Sequence, residues 1–360
     1  MKREITFLSM VTILAVAVIS GFLFTSCNKK NSEFVFKIGT ANANLCPAPL
    51  HVAIDLGIFE EEFGKVGLKY ETVEIDLTRA TELIVARKID ATTGLAGSLL
   101  PQVDNGLDIT FLSGLHTGCT KFYVKADSPY MSVSDLKGKT VGLCAVQDSS
   151  TIVFQRKFHE YGYKAFGSDA EFTIAIYGLT DLPLALENGA VDAVGLHDPV
   201  AYIAEKDYGF RKILDTTKDE KFSQEYCCMT FAASEIAEKY PEHIKAFVRA
   251  MLRASAYVQA NPEGTAELQI KNGRVSGDAE QNTYMLKSYN YTPSVGLCYD
   301  TLYQTIDELV DIGIMQNVTD KTAFVDKHFK KFDDVPDSYI YNPEDETYTE
   351  TVVHHLEHSN

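Results

Sequence analysis

The chain has no tryptophan and far fewer basic than acidic side chains. Its 360 residues include 33 Lys and Arg against 50 Asp and Glu, which gives a formal net charge of −17. Nucleic-acid binding needs clustered Lys and Arg, so this balance argues against a nucleic acid as a partner. Without an indole, stacking on a ligand ring would fall to Tyr177, Tyr226 or Phe122.

The chain also lacks a recognisable cysteine motif. Its seven cysteines are irregularly spaced, without the two-residue gaps of a zinc or redox motif. Apart from Cys27 they are Cys46, Cys119, Cys144, Cys227, Cys228 and Cys298. An exported chain is able to form disulfides, but the spacing does not pair these residues. We expect the adjacent Cys227 and Cys228 to be buried small side chains.

Only the N-terminus has an apolar run of membrane length. Lys2 and Arg3 precede a mostly apolar stretch over residues 5–24, which ends two small residues before Cys27. A basic start, an apolar centre and small residues before a cut site make up a secretory signal. The cysteine at the cut site resembles a bacterial lipobox, in which the thiol is acylated, although Phe24 departs from the usual aliphatic residue.

These features predict a lipoprotein signal peptide over residues 1–26 and a lipid attached to Cys27. Residues 27–33 are then a polar tether between the lipid and the folded body. The protein would be exported and held at the periplasmic or outer face of the cytoplasmic membrane. The alternative is an uncleaved membrane helix, since about 20 apolar residues can span a bilayer.

Strand-like and helix-like segments alternate over much of the remaining chain. Predicted strands cover residues 34–39, 68–75, 91–95, 109–112, 121–125, 140–144, 172–177 and 193–196. Helical segments lie between them, and amphipathic helices follow over 234–238, 242–259 and 300–311. This order predicts an α/β protein with parallel strands and crossover helices. The tail beyond about residue 330 is polar and acidic, which favours either an extended wrap around the folded body or a disordered segment.

One pattern occurs twice. Residues 86–91 and 187–193 each combine a helix end, a turn, Asp-Ala and a strand that leads into a glycine-containing loop. The repetition suggests two lobes of related build. Ligands of such sheets bind beyond the carboxyl ends of the strands. Two facing lobes would therefore place these loops across a cleft.

Several of these segments resemble a known family. Residues 134–142 read Ser-Asp-Leu-Lys-Gly-Lys-Thr-Val-Gly, residues 55–59 read Asp-Leu-Gly-Ile-Phe, and Asp-Ala occurs at 90–91 and again at 192–193. In order and spacing, residues 34–315 resemble the periplasmic substrate-binding proteins of ABC importers, in the nitrate/sulfonate/taurine and thiamine-precursor (NMT1/THI5-like) group.

The resemblance implies a periplasmic-binding-protein type II clamshell, with two α/β lobes joined by two hinge strands. Lobe 1 would comprise residues 34–122 and 230–320, and lobe 2 residues 123–229. Hinge strands would lie near 120–125 and 226–231, and residues 321–360 would form a polar extension. Such a protein, a monomer, holds a small molecule between its lobes and docks on an ABC permease, which its ATPase drives.

The strand-end rule also selects candidate ligand-binding residues. They are Thr40, Asn42, His51, Gly94, Ala96, Gly97, Ser98, His116, Thr117, Gly118, Cys119, Gln147, Asp148, Ser149, Ser150, Tyr177, His197, Asp198 and Tyr226. Gly97–Ser98 and Ser149–Ser150 precede or open predicted helices, whose free N–H groups favour an anion. Plain helix capping explains these serines equally well.

Three of the nine histidines, His51, His116 and His197, fall in these loops. Together they would suit a metal or a charged group, but a loop histidine more often bonds to its neighbours or to solvent. We therefore expect no metal and no cofactor, and a polar ligand contact from at least one of them. The loops contain few Arg or Lys, which weakens the case for a sulfonate and leaves a neutral or heteroaromatic metabolite open.

An enzyme on the same fold is the main alternative, and a ligand sensor is another. Relatives of this fold include desulfinases and enzymes of pyrimidine synthesis, and a thiolate nucleophile needs an adjacent base. Cys46 with His51 and Cys119 with His116 are the candidate pairs. The export signal argues against catalysis, because such biosynthetic relatives are cytosolic.

Overall fold

A computed structural model of the chain describes residues 34–42 and 45–353. The predicted signal peptide, Cys27 and the tether over 27–33 lie outside the described residues. Within the described ranges, no helix combines the length and the apolar character that crossing a membrane requires.

Twelve strands are formed by the described part of the chain. In chain order they are β1 (Val35–Thr40), β2 (Lys69–Glu74), β3 (Ala91–Leu95), β4 (Ile109–Thr117), β5 (Thr120–Val124), β6 (Thr140–Leu143), β7 (Thr173–Ile176), β8 (Ala193–His197), β9 (Arg211–Asp215), β10 (Tyr226–Ala233), β11 (Ser338–Asn342) and β12 (Thr347–Thr351). Two five-stranded sheets result, with the orders β2-β1-β3-β10-β4 and β7-β6-β8-β5-β9, and β11 and β12 form a separate hairpin.

Helices follow most of the strands. They are α1 (Ala48–Asp55), α2 (Ile58–Lys65), α3 (Ala80–Val85), α4 (Ala96–Asp104), α5 (Ser149–Glu160), α6 (Leu182–Glu187), α7 (Val200–Lys206), α8 (Ser234–Lys239), α9 (Pro241–Ala260), α10 (Pro262–Lys271), α11 (Ala279–Ser288), α12 (Gly296–Ile312) and α13 (Lys321–His328). Asp148 begins α5 as its N-cap, because its carboxylate accepts the N–H of Ser150 at 2.8 Å.

Both sheets are mixed, whereas the alternation of strands and helices had predicted parallel strands. β1 and β3 run parallel, but β10 runs antiparallel to β3 and to β4. In the second sheet β6 runs parallel to β7 and β8, while β5 runs antiparallel to β8 and β9. The direction of β5 and β10 follows from where the chain crosses from one sheet to the other. β5 and β10 each enter their sheet from the side at which β8 and β3 end, so each runs back against them.

The crossings between the sheets differ from the predicted hinge strands. The chain leaves the first sheet after Thr117, enters the second at Thr120, and returns between Asp215 and Tyr226. β5 lies wholly in the second sheet and β10 wholly in the first. The connections themselves, residues 118–119 and 216–225, therefore join the two halves.

β4 is longer than its apolar segment predicted, because β10 pairs with it from Ala233 and Ile109 to Tyr226 and Thr117. Gly114 permits this pairing: a Cβ there would lie 2.1 Å from a ring carbon of Tyr226. His116 and Thr117 consequently belong to a strand, where a loop had been predicted.

The C-terminal region up to residue 353 is folded onto the first half as an extended hairpin, so of the two expected forms the disordered one is wrong for these residues. The hairpin of β11 and β12 packs on α9. Ser338 donates its hydroxyl to a backbone oxygen of Pro293, and the Asp337 carboxylate accepts from Ser294 Oγ at 2.9 Å and from Gly296 N at 2.6 Å. In β11, Ser338 and Tyr341 are buried, Ile340 and Asn342 are exposed, and Tyr339 is half-buried. Because this pattern has no strict two-residue period, a mostly polar segment gives no strand signal here.

Each half has its own aromatic core. In the first, Phe36 packs between Phe63 and Phe247, with ring centroids 5.7 and 5.8 Å away. In the second, Phe154 stacks on Phe158 at 5.4 Å. Residues at or just after the ends of β3, β6 and β8 border a common space between the sheets.

Candidate functional site

A cavity of about 380 Å³ lies between the two sheets, within the usual size range of small-molecule pockets. The first half contributes Cys46, Pro47, Leu77, Thr78, Ala80, Thr81, Thr93, Gly94, Leu95, Ser98, Leu99, Gln102, Cys228 and Phe231. The second half contributes Ala145, Gln147, Asp148, Leu179, His197 and Asp198. We call this space the cleft.

The structure brings some of the predicted site residues to the cleft and not others. Those that line it are Gly94, Ser98, Gln147, Asp148, His197 and Asp198. A separate hollow of about 40 Å³ beside Arg156 takes a second group: Ala96, Gly97, Gly118, Ser149 and Tyr226. The residues selected by the strand-end rule are therefore divided between two separate spaces.

Other predicted residues have structural partners. His51 is fully buried, with Nε2 2.7 Å from the oxygen of Ala41 and Nδ1 2.9 Å from Nε2 of Gln269. Burial lowers the pKa of His51 to about 4, so it is a neutral core histidine and lies outside the cleft lining.

Five further predicted positions are also outside the lining. Asn42 donates to Glu74 at 3.2 Å, and the Thr40 hydroxyl faces a backbone oxygen of β2. Thr117 N–H donates to the oxygen of Asn290, and Tyr177 packs against the apolar cluster of the second half. Ser150 donates its hydroxyl to Asp148, so it supports a cleft residue without lining the cleft.

Asp148 and His197 form an ion pair at the cleft. Nε2 of His197 lies 3.3 Å from Oδ2 of Asp148, and Nδ1 lies 3.4 Å from the backbone oxygen of Cys119. Burial opposes both charges, but each group stabilises the other. The pKa of His197 is raised to about 9, and hydrogen bonds from His197 and Ser150 lower the pKa of Asp148 to about 2. The pair is therefore ionised and nearly neutral in sum.

This pair predicts a specific dependence of stability on pH. The pKa of His197 is raised from 6.5 to about 9, so its contribution is complete below pH 6.5 and is lost as pH rises through about 9. The loss should approach about 3 kcal/mol. The pKa of Asp148 is lowered from 3.8 to about 2, so its contribution holds above pH 3.8 and is lost as pH falls through about 2.

Urea unfolding at pH 6, 7.5 and 9 measures the effect of His197. The His197→Gln variant should be less stable than the parent at pH 6. Above pH 7 its stability should fall much less than that of the parent. An equal decline in the variant and the parent would assign the pH dependence to other groups.

Asp198 joins the two halves next to this pair. Its Oδ2 accepts from Lys121 Nζ at 2.6 Å and from the Tyr289 hydroxyl at 2.7 Å, and its Oδ1 accepts from Tyr202 N at 3.0 Å. Lys121 lies on β5 in the second half, whereas Tyr289 follows α11 in the first. The Asp198 side chain is fully buried, so its charge is already compensated within the protein.

The charge pattern limits what the cleft can hold. Among the described residues that line it, none is Lys or Arg, and its ionised groups are paired as above. Much of the remaining wall is apolar, with Leu77, Leu95, Leu99, Leu179 and Phe231. An oxyanion would find no unpaired cation here, whereas a neutral ring with a few hydrogen-bonding groups would fit.

The strand-end rule did not select Cys46 and Cys228 as ligand-binding residues, although both line the cleft. Thiols of Cys119 and Cys228 donate to the sulfur of Cys46 and hold its pKa well below the usual range. Hydrogen bonds from the same two thiols also lower the pKa of Cys227. The six cysteines of the described ranges are all free thiols. Cys46 neighbours His116, not His51 as the proposed catalytic pair required.

Comparisons with known proteins agree with this architecture. A family model described as NMT1/THI5 like matches residues 44–265, more than half of the chain. The riboflavin-binding protein RibY of Chloroflexus aurantiacus is 26% identical over 231 residues. That match covers 63% of this chain and 63% of RibY, so the chain spans less than two thirds of the length of this relative.

Solved structures show the same fold. The aliphatic sulphonate binding protein SsuA of Escherichia coli superposes with a TM-score of 0.67 at 19% identity, over 91% of this chain and 97% of SsuA. The nitrate-binding protein NrtA of Synechocystis gives a TM-score of 0.66 at 14% identity, over 83% and 86%. The periplasmic-binding-protein type II fold expected from the sequence is therefore confirmed.

Proposed function

The chain belongs to the NMT1/THI5-like family, and from this premise we propose that it is the extracytoplasmic solute-binding protein of an ABC importer. In this role it captures a small molecule in the cleft and delivers it to a membrane permease. The observation that carries the proposal is the cavity of about 380 Å³ between two sheets, bounded by the ends of strands from both. A ligand there contacts both halves, which favours the closed arrangement that a permease recognises.

The solute that fits the lining is neutral and contains a ring. Nitrate and sulfonate, named for the structural neighbours, are anions that a cationic side chain would stabilise, and the described lining offers no unpaired one. RibY is named for riboflavin, a heteroaromatic molecule. Phe231 provides an aromatic surface, while Gln147, Ser98 and Thr93 provide hydrogen-bonding groups. We therefore favour a flavin-like or pyrimidine-like solute over taurine, a sulfonate or nitrate.

Calorimetry and thermal unfolding with riboflavin, the thiamine pyrimidine, taurine and nitrate test this proposal. A ligand at 100 times its Kd should stabilise the protein by about 2.7 kcal/mol. Binding of riboflavin or the pyrimidine supports the assignment. Binding of only taurine or nitrate would overturn the neutral class, and turnover of any of these compounds would favour the enzyme alternative.

The proteins that share this fold and the positions of the candidate catalytic residues both favour binding over catalysis. SsuA and NrtA are binding proteins. Of the two proposed catalytic pairs, Cys119 and His116 are both fully buried, which leaves no approach for a substrate to the Cys119 sulfur. His51 is held in the core by Ala41 and Gln269.

Attachment to the membrane through Cys27 completes the proposal. A tether keeps the receptor at a high effective concentration near its permease. We expect Cys27→Ala to move the exported protein from the membrane fraction to the soluble fraction after cell fractionation, without changing solute affinity. Unchanged membrane attachment would instead indicate an uncleaved apolar helix.

A further inference from the structure

Sulfur and nitrogen ligands from three separate segments converge at the floor of the cleft. Cys46 precedes α1, His116 lies on β4, and Cys228 lies on β10. The two sulfurs and a ring nitrogen of His116 all lie within 4.8 Å of one another. We propose that Cys46, His116 and Cys228 bind one thiophilic metal ion of the Zn²⁺ class.

The spacing is close to what such an ion requires. Bond lengths of about 2.3 Å to sulfur and about 2.0–2.1 Å to nitrogen place the ligands of a tetrahedral zinc roughly 3.6–3.8 Å apart. The observed upper limit of 4.8 Å differs from this by about 1 Å. Binding would therefore require the ligand atoms to approach one another by about 1 Å.

His116 gives independent support. Its side chain is fully buried, and its Nε2 has no hydrogen-bond partner among the described residues. A buried nitrogen without a partner is costly unless something occupies its lone pair. Nδ1 faces the backbone oxygen of Thr117 at 3.5 Å. A metal-bound histidine commonly directs its second nitrogen to such a carbonyl.

Further sulfur surrounds these three ligands. Cys119 and Cys227 neighbour this group, since hydrogen bonds from the Cys119 and Cys228 thiols lower the pKa of both Cys46 and Cys227. Either is a candidate for the fourth ligand. A site rich in thiolate selects Zn²⁺ or another soft ion over Mg²⁺ or Ca²⁺, which prefer oxygen.

The ion reaches this site from the cleft. Cys46 and Cys228 both line the cavity, whereas His116 is fully buried and is not part of the lining. Two ligands therefore face solvent-accessible space, and the third is fixed in the wall by stacking on Tyr289 at a centroid distance of 5.2 Å.

Cobalt titration of the full chain tests the proposal. The reduced protein, freed of metal with a chelator, should bind one equivalent of Co²⁺ under anaerobic conditions. Thiolate-to-cobalt charge-transfer absorption should appear and should disappear on addition of Zn²⁺. Cys46→Ser and His116→Asn should each weaken binding by at least about 10-fold. Cys144→Ser and Cys298→Ser, which alter cysteines outside this group, should bind as the parent does.

Two results would overturn the site. One is the absence of the charge-transfer band from the parent protein, or its persistence at full intensity in Cys46→Ser and His116→Asn. The other is a thiol count showing that Cys46 or Cys228 forms a disulfide in the exported protein. If the variants unfold, ¹¹³Cd NMR of the parent decides, because the shift reports the number of sulfur ligands: two or more are expected, and none would refute the proposal.

Discussion

Replacing Arg156 with methionine should lower the free energy of unfolding by about 3–5 kcal/mol. Arg156 lies on α5, and its side chain is 5% exposed. Its Nη2 is 2.8 Å from Glu225 and its Nε is 2.8 Å from Glu308 of α12. The substitution strands the Glu225 carboxylate, also 5% exposed, without a partner. An uncompensated buried charge is far more costly than a lost surface contact.

The same pair of helices supplies the control. His159 of α5 contacts Asp311 of α12 at 2.9 Å, but the two side chains are 38% and 76% exposed. An exposed pair contributes at most about 1 kcal/mol, so His159→Gln should change stability by no more than that. Urea unfolding with matched slopes measures both variants.

A double variant isolates the reason for the loss. Arg156→Met combined with Glu225→Met should recover much of the stability, because apolar residues often replace a buried ion pair at little cost. If Arg156→Met alone destabilises no more than His159→Gln, the buried pair does not hold α5 to the first half of the molecule.

The second large effect should follow from filling the cleft. Ser98 lines the cavity on α4, and replacing it with tryptophan places a large ring in the space that the solute needs. We expect solute affinity to fall by at least about 100-fold, close to 2.7 kcal/mol, with stability changed by less than about 1 kcal/mol because the ring enters open space. Calorimetry with the solute identified by screening measures the loss.

Because the natural chain contains no tryptophan, fluorescence can report whether the Ser98→Trp side chain fills the cleft. The introduced indole is the sole one present, so its emission reports directly whether the cleft is filled and dry. Ser98→Ala tests the hydroxyl alone and should cost under 10-fold. Val85→Trp places the same ring on a side chain that is 67% exposed and should leave affinity unchanged. Full affinity in Ser98→Trp would place the solute outside the cleft.

Some of the residues that the sequence selected as ligand-binding candidates line the cleft, and others do not. Gly94, Ser98, Gln147 and Asp148 were selected by the strand-end rule and do line the cleft. The rule depends only on the order of strands and helices, which local periodicity encodes. It assigned His51 to the same edge because α1 begins there, but it did not show that Gln269, more than two hundred residues away, occupies its ring nitrogen.

Other outcomes depended on pairing that no local pattern contains. The antiparallel register of β10 against β4 extends that strand to Thr117 and brings Cys228 opposite His116. The spacing of Cys46 and Cys228 in sequence matches no zinc motif, so their approach follows from the packing of the first sheet. The terminal hairpin likewise folds because α9 offers it a surface.

By itself the sequence determined the α/β class, the family resemblance, the acidic surface charge and the loops that border a cleft, because composition and local periodicity carry these properties. Only the tertiary structure decided which charges are paired, which histidine is buried in the core and which cysteines meet. These outcomes depend on contacts between segments far apart in the chain, whose distances are fixed only once both sheets have packed.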